Sequence, residues 1–140
     1  MNQRVTRMRL HSRYAGPENA IKELSAEQFL GGAWEPFELT IRSPGFDVYT
    51  YSALTCQHTY FRSNCAEKGL LLNTATAEIA ITLADNWKML GTRVEISAKL
   101  KSGTETQEIN DYVLGRMRHC PVSINTCPAE NDLAIIHFVD

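Results

Sequence analysis

The chain has 140 residues, of which 44% are hydrophobic and 21% are charged, and this composition is typical of one globular domain. Its 14 basic and 16 acidic side chains leave a formal net charge of −2, which excludes a large positive surplus for holding a nucleic-acid backbone. No apolar run approaches the roughly 20 residues of a bilayer-spanning helix. We therefore expect a single domain over residues 1–140, with no nucleic-acid and no membrane partner. The basic start leads into no apolar stretch, so we expect an unexported, cytoplasmic protein.

The first third of the chain predicts a strand, a short helix and a second strand. Apolar and polar residues alternate over residues 7–14, which favours an opening strand. The apolar spacing over residues 18–30 predicts a short amphipathic helix that ends at Gly31 and Gly32. Alternation over residues 37–42 then predicts a half-buried strand.

A long helix is predicted next. Ser43 and Pro44 favour a helix start, because the Ser43 hydroxyl can accept a hydrogen bond from a free backbone amide and proline fits the first helical turn. Residues 46–68 contain neither proline nor glycine, and Gly69 supplies the stop. Such a helix is on the order of 35 Å long, comparable to the diameter of the domain. Its apolar residues lie on more than one side, so we expect burial on several faces and a partner subunit.

The rest of the chain predicts two strands, a second helix and a final strand. Strict alternation over residues 75–83 and 93–100 predicts an antiparallel pair. Thr104 and Gln107 suit a capping box for a helix that runs to Arg118. A short helical turn is expected after Pro121, and residues 133–139 form the last strand. The order predicts an α+β fold in which helices pack on a largely antiparallel sheet.

Four cysteines, Cys56, Cys65, Cys120 and Cys127, are the informative feature of this composition. Structural disulfides are rare in a reducing compartment. The spacings contain no C-x-x-C pair, and no His-x-x-x-His lies nearby, so we expect neither a metal nor another cofactor. Buried small side chains and catalytic or redox-sensing thiols remain as interpretations. A Cys120–Cys127 pair also stays open, since the seven-residue spacing contains a proline that could turn the chain back.

Helix geometry separates two of the thiols. Cys65 follows Cys56 by nine positions, which places it on the opposite face and about 13 Å further along the axis. A disulfide needs α-carbons within roughly 7 Å, so these two cannot pair and we interpret Cys65 as a packing residue. A thiolate at Cys120 would be stabilised by free amides of the following turn and by Arg118 and His119. A buried structural cysteine is the alternative at that position.

Two segments of the sequence resemble the OsmC/Ohr peroxidases and their relatives. Residues 43–69, with their Ser-Pro start and Cys56 in mid-helix, resemble the family's proline-initiated helix with its peroxidatic cysteine. Residues 119–123 resemble its Cys-Pro-Val-Ser segment, in which Cys120 takes the place of the second cysteine. The resemblance covers the chain beyond residues 1–36, which form an atypical N-terminal part.

This resemblance implies an α+β fold with sheets around a long central helix, in an intertwined homodimer with its sites at the interface. It implies a thiol peroxidase that acts on organic hydroperoxides. Cys56 would become a sulfenic acid, Cys120 would condense with it to a disulfide, and a cellular dithiol would reduce the product.

The family also places a glutamate directly after the helix-opening proline and an arginine upstream of it. Here the nearest carboxylate is Asp47, and the nearest arginine is Arg42, with Arg13 as another candidate. The alternative for Arg42 is a solvated strand end. His58 lies about 200° around the helix from Cys56, so we expect it to pack or cap rather than act as a base.

The competing function is a diverged, non-enzymatic dimer that binds a small molecule or senses redox state through its thiols.

Overall fold

The computed structural model describes residues 3–126 and 132–140 as one six-stranded sheet with three helices. The elements in chain order are β1 (Arg4–Ala15), β2 (Ala20–Leu30), β3 (Ala33–Phe37), α1 (Gly45–Glu67), β4 (Leu71–Leu83), β5 (Met89–Ser102), α2 (Gln107–Met117), α3 (Pro121–Thr126) and β6 (Asp132–Val139). The strand order is β3-β2-β1-β4-β5-β6, and every neighbouring pair is antiparallel except β5 and β6, which are parallel. The expected α+β class with a largely antiparallel sheet is confirmed.

The core lies on one face of this sheet, where α1 packs against β4 and β1 and also against α2. Alternate residues of β1, β4 and β5 point into it because successive strand side chains face opposite sides. No helix in residues 3–126 and 132–140 is long and apolar enough to cross a membrane. The largest fully buried apolar side chains are Phe61, Met8, Leu10, Leu54, Leu70, Leu72, Ile79, Ile81, Ile96, Met117 and Val113.

The other face of the sheet is polar. Arg7 Nε lies 2.9 Å from a carboxylate oxygen of Glu78, and Arg9 Nε lies 2.6 Å from Glu27. The guanidinium groups of Arg7 and Arg9 also stack near the ring of Trp34, at 4.9 and 4.1 Å from its centroid. Among the described residues, helices therefore cover one face of the sheet, and the other face is left to these side chains.

The long helix is confirmed as α1, but its first residue differs from the expectation at Ser43. The cap position is Pro44, which makes no side-chain cap bond. Ser43 instead closes a turn with Thr40: its hydroxyl accepts from the Thr40 amide at 3.0 Å, and its own amide donates to the Thr40 carbonyl. The hydroxyl that could have capped the helix is thus used one turn earlier. At the other end Gly69 has φ +78, the left-handed conformation that ends helices.

Two expectations for the N-terminal third were wrong. Residues 18–30 do not form a helix, because β2 pairs with β1 from Met8↔Gln28 to Ala15↔Ala20. The long strand β1 needs a hydrogen-bonding partner on that side, and this pairing outweighs the local spacing of apolar residues. The predicted strand over residues 37–42 is also wrong, since β3 ends at Phe37 and the turn at Thr40 follows.

Asn19 fixes the turn between β1 and β2, and its role had no signal in the sequence. It has φ 51 and is almost completely buried. Its side-chain amide donates to the carbonyls of Arg62 and Leu70 at 3.0 Å, and its side-chain oxygen accepts from the Leu72 amide. One side chain therefore joins the β1–β2 turn to α1 and to the start of β4.

The cap of α2 also differs from the predicted box at Thr104 and Gln107. Thr106 is the cap, and its hydroxyl accepts from the Ile109 amide at 3.1 Å. The Gln107 side chain instead donates to Asp111 at 2.8 Å. The predicted antiparallel strand pair, the second helix, the short turn after Cys120 and the last strand are all confirmed.

Candidate redox site

Cys56 and Cys120 form a disulfide, with 6.1 Å between their α-carbons. Cys56 lies in the middle of α1, and Cys120 lies 64 positions later, between α2 and α3. Cys56 is half-buried, whereas Cys120 is completely buried. The two thiols singled out by the sequence are therefore brought together, with one of them facing the surface.

The backbone around Cys120 is tightly held. The Cys120 amide donates to the Met117 carbonyl at 3.1 Å, which closes the end of α2. The Cys120 carbonyl accepts from the Ile124 amide at 3.1 Å, which opens α3. Because α1 packs against both α2 and α3, this junction lies beside the middle of α1. The local chain geometry thus presents the Cys120 sulfur to Cys56.

Gln57 is a site residue that the sequence analysis missed. Its side-chain amide is buried and donates to the Met117 carbonyl and to the Ser123 hydroxyl, each at 2.9 Å. A single glutamine within a helix carries no recognisable motif, and both partners are more than 50 positions away. Only the packing of α1 on the α2–α3 junction reveals this role.

Cys65 lies apart from the disulfide. It is a free thiol, completely buried in the core, and burial raises its pKa to about 12. A thiol in this state is neutral and shielded, so its chemistry is that of a small apolar side chain. The alternative partner Cys127 lies outside the described residues, while Cys120 is already bonded to Cys56.

Arg42 and Asp47 lie at the start of α1, whereas Cys56 lies in its middle. Arg42 is exposed in the turn before the helix, where its amide donates to the Thr40 hydroxyl. Asp47 is in the first turn of α1, about 13 Å along the axis from Cys56 at 1.5 Å per residue, and accepts from the Gln28 side chain at 2.9 Å. Within a single chain, Arg42 and Asp47 therefore lie away from Cys56, and their catalytic use stays a prediction.

The other upstream candidate, Arg13, also faces away from the thiols. It lies on β1, where its guanidinium is 3.8 Å from Glu23 on β2, and both side chains are more than half exposed. This pair belongs to the polar face of the sheet.

His58 is buried on the β1 side of α1. Its Nε2 lies 2.5 Å from the Tyr14 hydroxyl and 3.3 Å from the Ser12 hydroxyl. Burial, together with the nearby positive charge of Arg62, lowers the pKa of His58 to about 4. The imidazole is therefore neutral and committed to packing between α1 and β1.

A small cavity of about 30 Å³ lies next to the α2–α3 junction, and its lining includes Gln57, Arg118 and Ser123. Its size suits one water molecule with several polar neighbours. Arg118 is an exposed residue that also lines this cavity. It therefore places a positive charge beside Gln57, the residue that follows Cys56. Within residues 3–126 and 132–140, no group of three or more His, Cys, Asp and Glu side chains is arranged to hold a metal ion.

No protein-family profile and no curated protein sequence matches this chain. Solved structures do match its fold. An OsmC-like hydroperoxide resistance protein from Jannaschia sp. CCS1 is 11% identical, with a TM-score of 0.57 and 89% of each chain covered. An OsmC-like protein from Mycoplasma pneumoniae is 7% identical, with a TM-score of 0.56, and covers 100% of this chain and 99% of its own. At these identities the likeness establishes the fold, and the chain has the OsmC-like fold that the two sequence segments suggested.

Proposed function

We propose that this protein is a thiol-dependent peroxidase that reduces organic hydroperoxides, with Cys56 as the peroxidatic and Cys120 as the resolving cysteine. The single observation that carries the proposal is the Cys56–Cys120 disulfide between the middle of α1 and the α2–α3 junction of an OsmC-like fold. A reactive thiol next to a resolving thiol is the arrangement typical of redox cysteines.

The proposed cycle has three balanced steps. The Cys56 thiolate attacks the terminal oxygen of the hydroperoxide, the O–O bond breaks, and the leaving alkoxide takes a proton to become an alcohol. The sulfur is then a sulfenic acid, and the Cys120 thiol condenses with it to give the disulfide and one water. A cellular dithiol reduces the disulfide by two thiol–disulfide exchanges and is itself oxidised.

The burial of the two sulfurs supports these separate roles. Cys56 is half-buried, so a hydroperoxide can reach it from one side while the protein shields the other. Cys120 is completely buried, which keeps the resolving thiol away from competing oxidants. A peroxidatic thiol must also be ionised, and this requires a nearby positive charge.

We further propose that the active unit is a homodimer. An open groove of about 500 Å³ lies on the helix side of β2 and β3, and we term it the β2–β3 groove. Its lining is mixed, with the apolar side chains of Leu24, Ala26, Phe37, Leu39 and Tyr51 beside Ser25, Pro36 and Glu38. In a single chain α1 packs mainly on β4 and β1 and reaches β2 and β3 through its first turns, where Tyr51 contacts Phe37, so the groove stays open to solvent. A second copy packed there would bury the groove and bring charged residues from the start of one α1 towards the middle of the other. Arg42 and Asp47 would then serve the partner's thiol site.

The proposed catalytic cycle also suggests in which cell compartment the protein works. A dithiol reductant implies a reducing compartment, so we place the proposed peroxidase in the cytoplasm, where it would protect against organic hydroperoxides.

A diverged, non-enzymatic protein is the second candidate. The observation that favours it is that Asp47 is hydrogen-bonded to Gln28 and Arg42 is exposed, so neither activates Cys56 within one chain. Such a protein would keep the fold and thiols to bind a small molecule or to sense redox state. The pKa of Cys56, measured by the pH dependence of its alkylation, separates the two functions. A value near the 8.5 of free cysteine supports the second candidate, and a clearly lower value supports the peroxidase.

The proposed activity is tested by hydroperoxide consumption with a dithiol reductant. We expect stoichiometric loss of cumene or tert-butyl hydroperoxide, abolished by Cys56→Ser and unchanged by the matched control Cys65→Ser, whose sulfur lies elsewhere in the core. Absence of turnover with both dithiol and monothiol reductants, or equal loss in the two variants, would overturn the proposal.

A further inference from the structure

The two donor bonds of Gln57 are placed symmetrically about Cys120. Met117 lies three residues before Cys120, and Ser123 lies three residues after it. The Gln57 amide donates to both of them, each at 2.9 Å. Neighbouring residues of α1 therefore contact one segment at three points: Cys56 through its sulfur, and Gln57 on both flanks of Cys120.

One of these bonds is shared with the backbone of Cys120 itself. The Met117 carbonyl accepts from Gln57 and from the Cys120 amide, at 2.9 and 3.1 Å. A carbonyl oxygen has two lone pairs and can accept both. Gln57 is only 5% exposed, so its two bonds are shielded from water, and without them the Met117 carbonyl would keep one of its two donors, the Cys120 amide. The segment that carries Cys120 is thus fixed to α1 independently of the disulfide.

We propose that Gln57 is a positioning residue that holds the Cys120 thiol within reach of Cys56 so that the disulfide closes efficiently. This inference rests on the proposed function in treating closure as a step of turnover. Two groups held in a reactive geometry have a higher effective concentration than groups on a mobile segment. The contacts of Gln57 reach the α2–α3 junction without passing through either sulfur, so they also act when both thiols are reduced.

Loss of this positioning has a defined chemical consequence. Closure joins the Cys56 sulfenic acid to the Cys120 thiol, and the sulfenic oxygen leaves as water with the thiol proton. When the Cys120 segment is released, the sulfenic acid lasts longer. A second hydroperoxide molecule can then oxidise it to a sulfinic acid and leave as an alcohol.

The test compares thiol–disulfide equilibria without any hydroperoxide. The full chain is equilibrated in glutathione buffers, and the fraction of Cys56–Cys120 disulfide is measured by mass spectrometry after acid trapping. We expect Gln57→Met, which keeps the length but removes both donors, to lower the effective concentration of the pair about tenfold. This corresponds to a reduction potential about 30 mV less negative. Ser123→Ala removes one bond at a partly exposed residue and should give about a threefold change, which keeps the test valid if Gln57→Met folds poorly.

Asn64→Leu is the matched control, because Asn64 is a buried amide on the same helix whose side chain donates to the Tyr60 carbonyl. Its disulfide equilibrium should stay within twofold of the unsubstituted chain. Equal potentials in Gln57→Met, Ser123→Ala and the unsubstituted chain would overturn the inference, even with full peroxidase activity. A shifted potential in a protein that consumes no hydroperoxide would support the positioning and refute the peroxidase.

Discussion

The Tyr14 hydroxyl lies 2.5 Å from Nε2 of His58, and this contact joins β1 to α1 in the interior of the protein. The Ser12 hydroxyl donates to the Tyr14 oxygen at 2.7 Å, so the tyrosine proton is directed to His58. Nε2 of a neutral imidazole can accept it when the ring proton is on Nδ1. Burial raises the pKa of Tyr14 to about 12, which keeps the phenol protonated.

This arrangement predicts a stability that falls in mild acid. The folded-state pKa of His58 is about 4, against 6.5 for the unperturbed group. Between these values the unfolded chain binds a proton that the folded chain does not, so the free energy of unfolding falls as the pH is lowered. From pH 7 to pH 5 this group alone removes about 2 kcal/mol.

Urea unfolding of His58→Gln across this range checks the prediction. The variant should lose that part of the pH dependence, while the control His137→Gln, which removes an exposed imidazole, should retain it. An unchanged slope in His58→Gln would contradict the buried, neutral histidine. Glu27, whose pKa is lowered by hydrogen bonds from Arg9 and His11, contributes stability that is lost only at lower pH, as it becomes protonated.

Two glycines with positive φ predict different costs for the same substitution. A β-carbon on Gly103, at φ +99, would lie 2.5 Å from the Gly69 carbonyl oxygen. Gly69, at φ +78, has open space where its β-carbon would be. Gly69→Ala should therefore lower the free energy of unfolding by about 1 kcal/mol, because alanine is strained at this positive φ. Gly103→Ala should lower it by at least about 2 kcal/mol more, because backbone atoms must also move. Equal urea midpoints for the two variants would contradict this geometry.

The burial of Cys65 predicts a large difference in thiol reactivity. At pH 8 a thiol with a pKa of about 12 carries on the order of a thousandfold less thiolate than one near 8.5. In the reduced, folded protein, iodoacetamide should modify Cys56 and leave Cys65 intact, and peptide mass spectrometry resolves the two sites. In denaturant Cys65 should react normally. Comparable labelling of both cysteines in the folded state would contradict the packing assignment.

The proposed dimer predicts that an added negative charge near the β2–β3 groove separates the subunits. Ile41 follows the groove residue Leu39 by two positions and is fully exposed in the single chain, at 104%, so Ile41→Asp should leave the folded subunit intact. Size-exclusion chromatography with light scattering should show a dimer for the unsubstituted chain and a monomer for Ile41→Asp. Val5→Asp is the control, because Val5 is exposed on the opposite face of the sheet. A monomeric unsubstituted chain would contradict the dimer.

The local sequence pattern was sufficient to predict those elements whose structure depends on a single segment of the chain. The absence of glycine and proline over residues 46–68 predicted α1, and strict alternation predicted β4 and β5. It failed for β2, whose structure depends on pairing with β1, a contact between segments that the spacing of apolar residues does not encode. It also failed for Ser43, whose hydroxyl is used by Thr40 rather than by the helix.

The candidate site was likewise predictable from the sequence only in part. Helix geometry separated Cys65 from Cys56, whereas spacing left the partner of Cys120 open, and only the family resemblance pointed to Cys56. Asn19 and Gln57 had no signal, because their partners are 43 to 66 positions away and are polar atoms of otherwise ordinary residues. Such residues become visible only when packing brings distant segments together.

The most direct test of the account is the fate of Cys56 after one equivalent of cumene hydroperoxide. In the reduced, unsubstituted chain we predict one cumyl alcohol and one Cys56–Cys120 disulfide per subunit, identified by mass spectrometry after acid quenching. In Cys120→Ser we predict a Cys56 sulfenic acid that dimedone traps. Intact hydroperoxide with both thiols still reduced, or oxidation confined to other cysteines, would contradict the assignment of Cys56 as the peroxidatic residue.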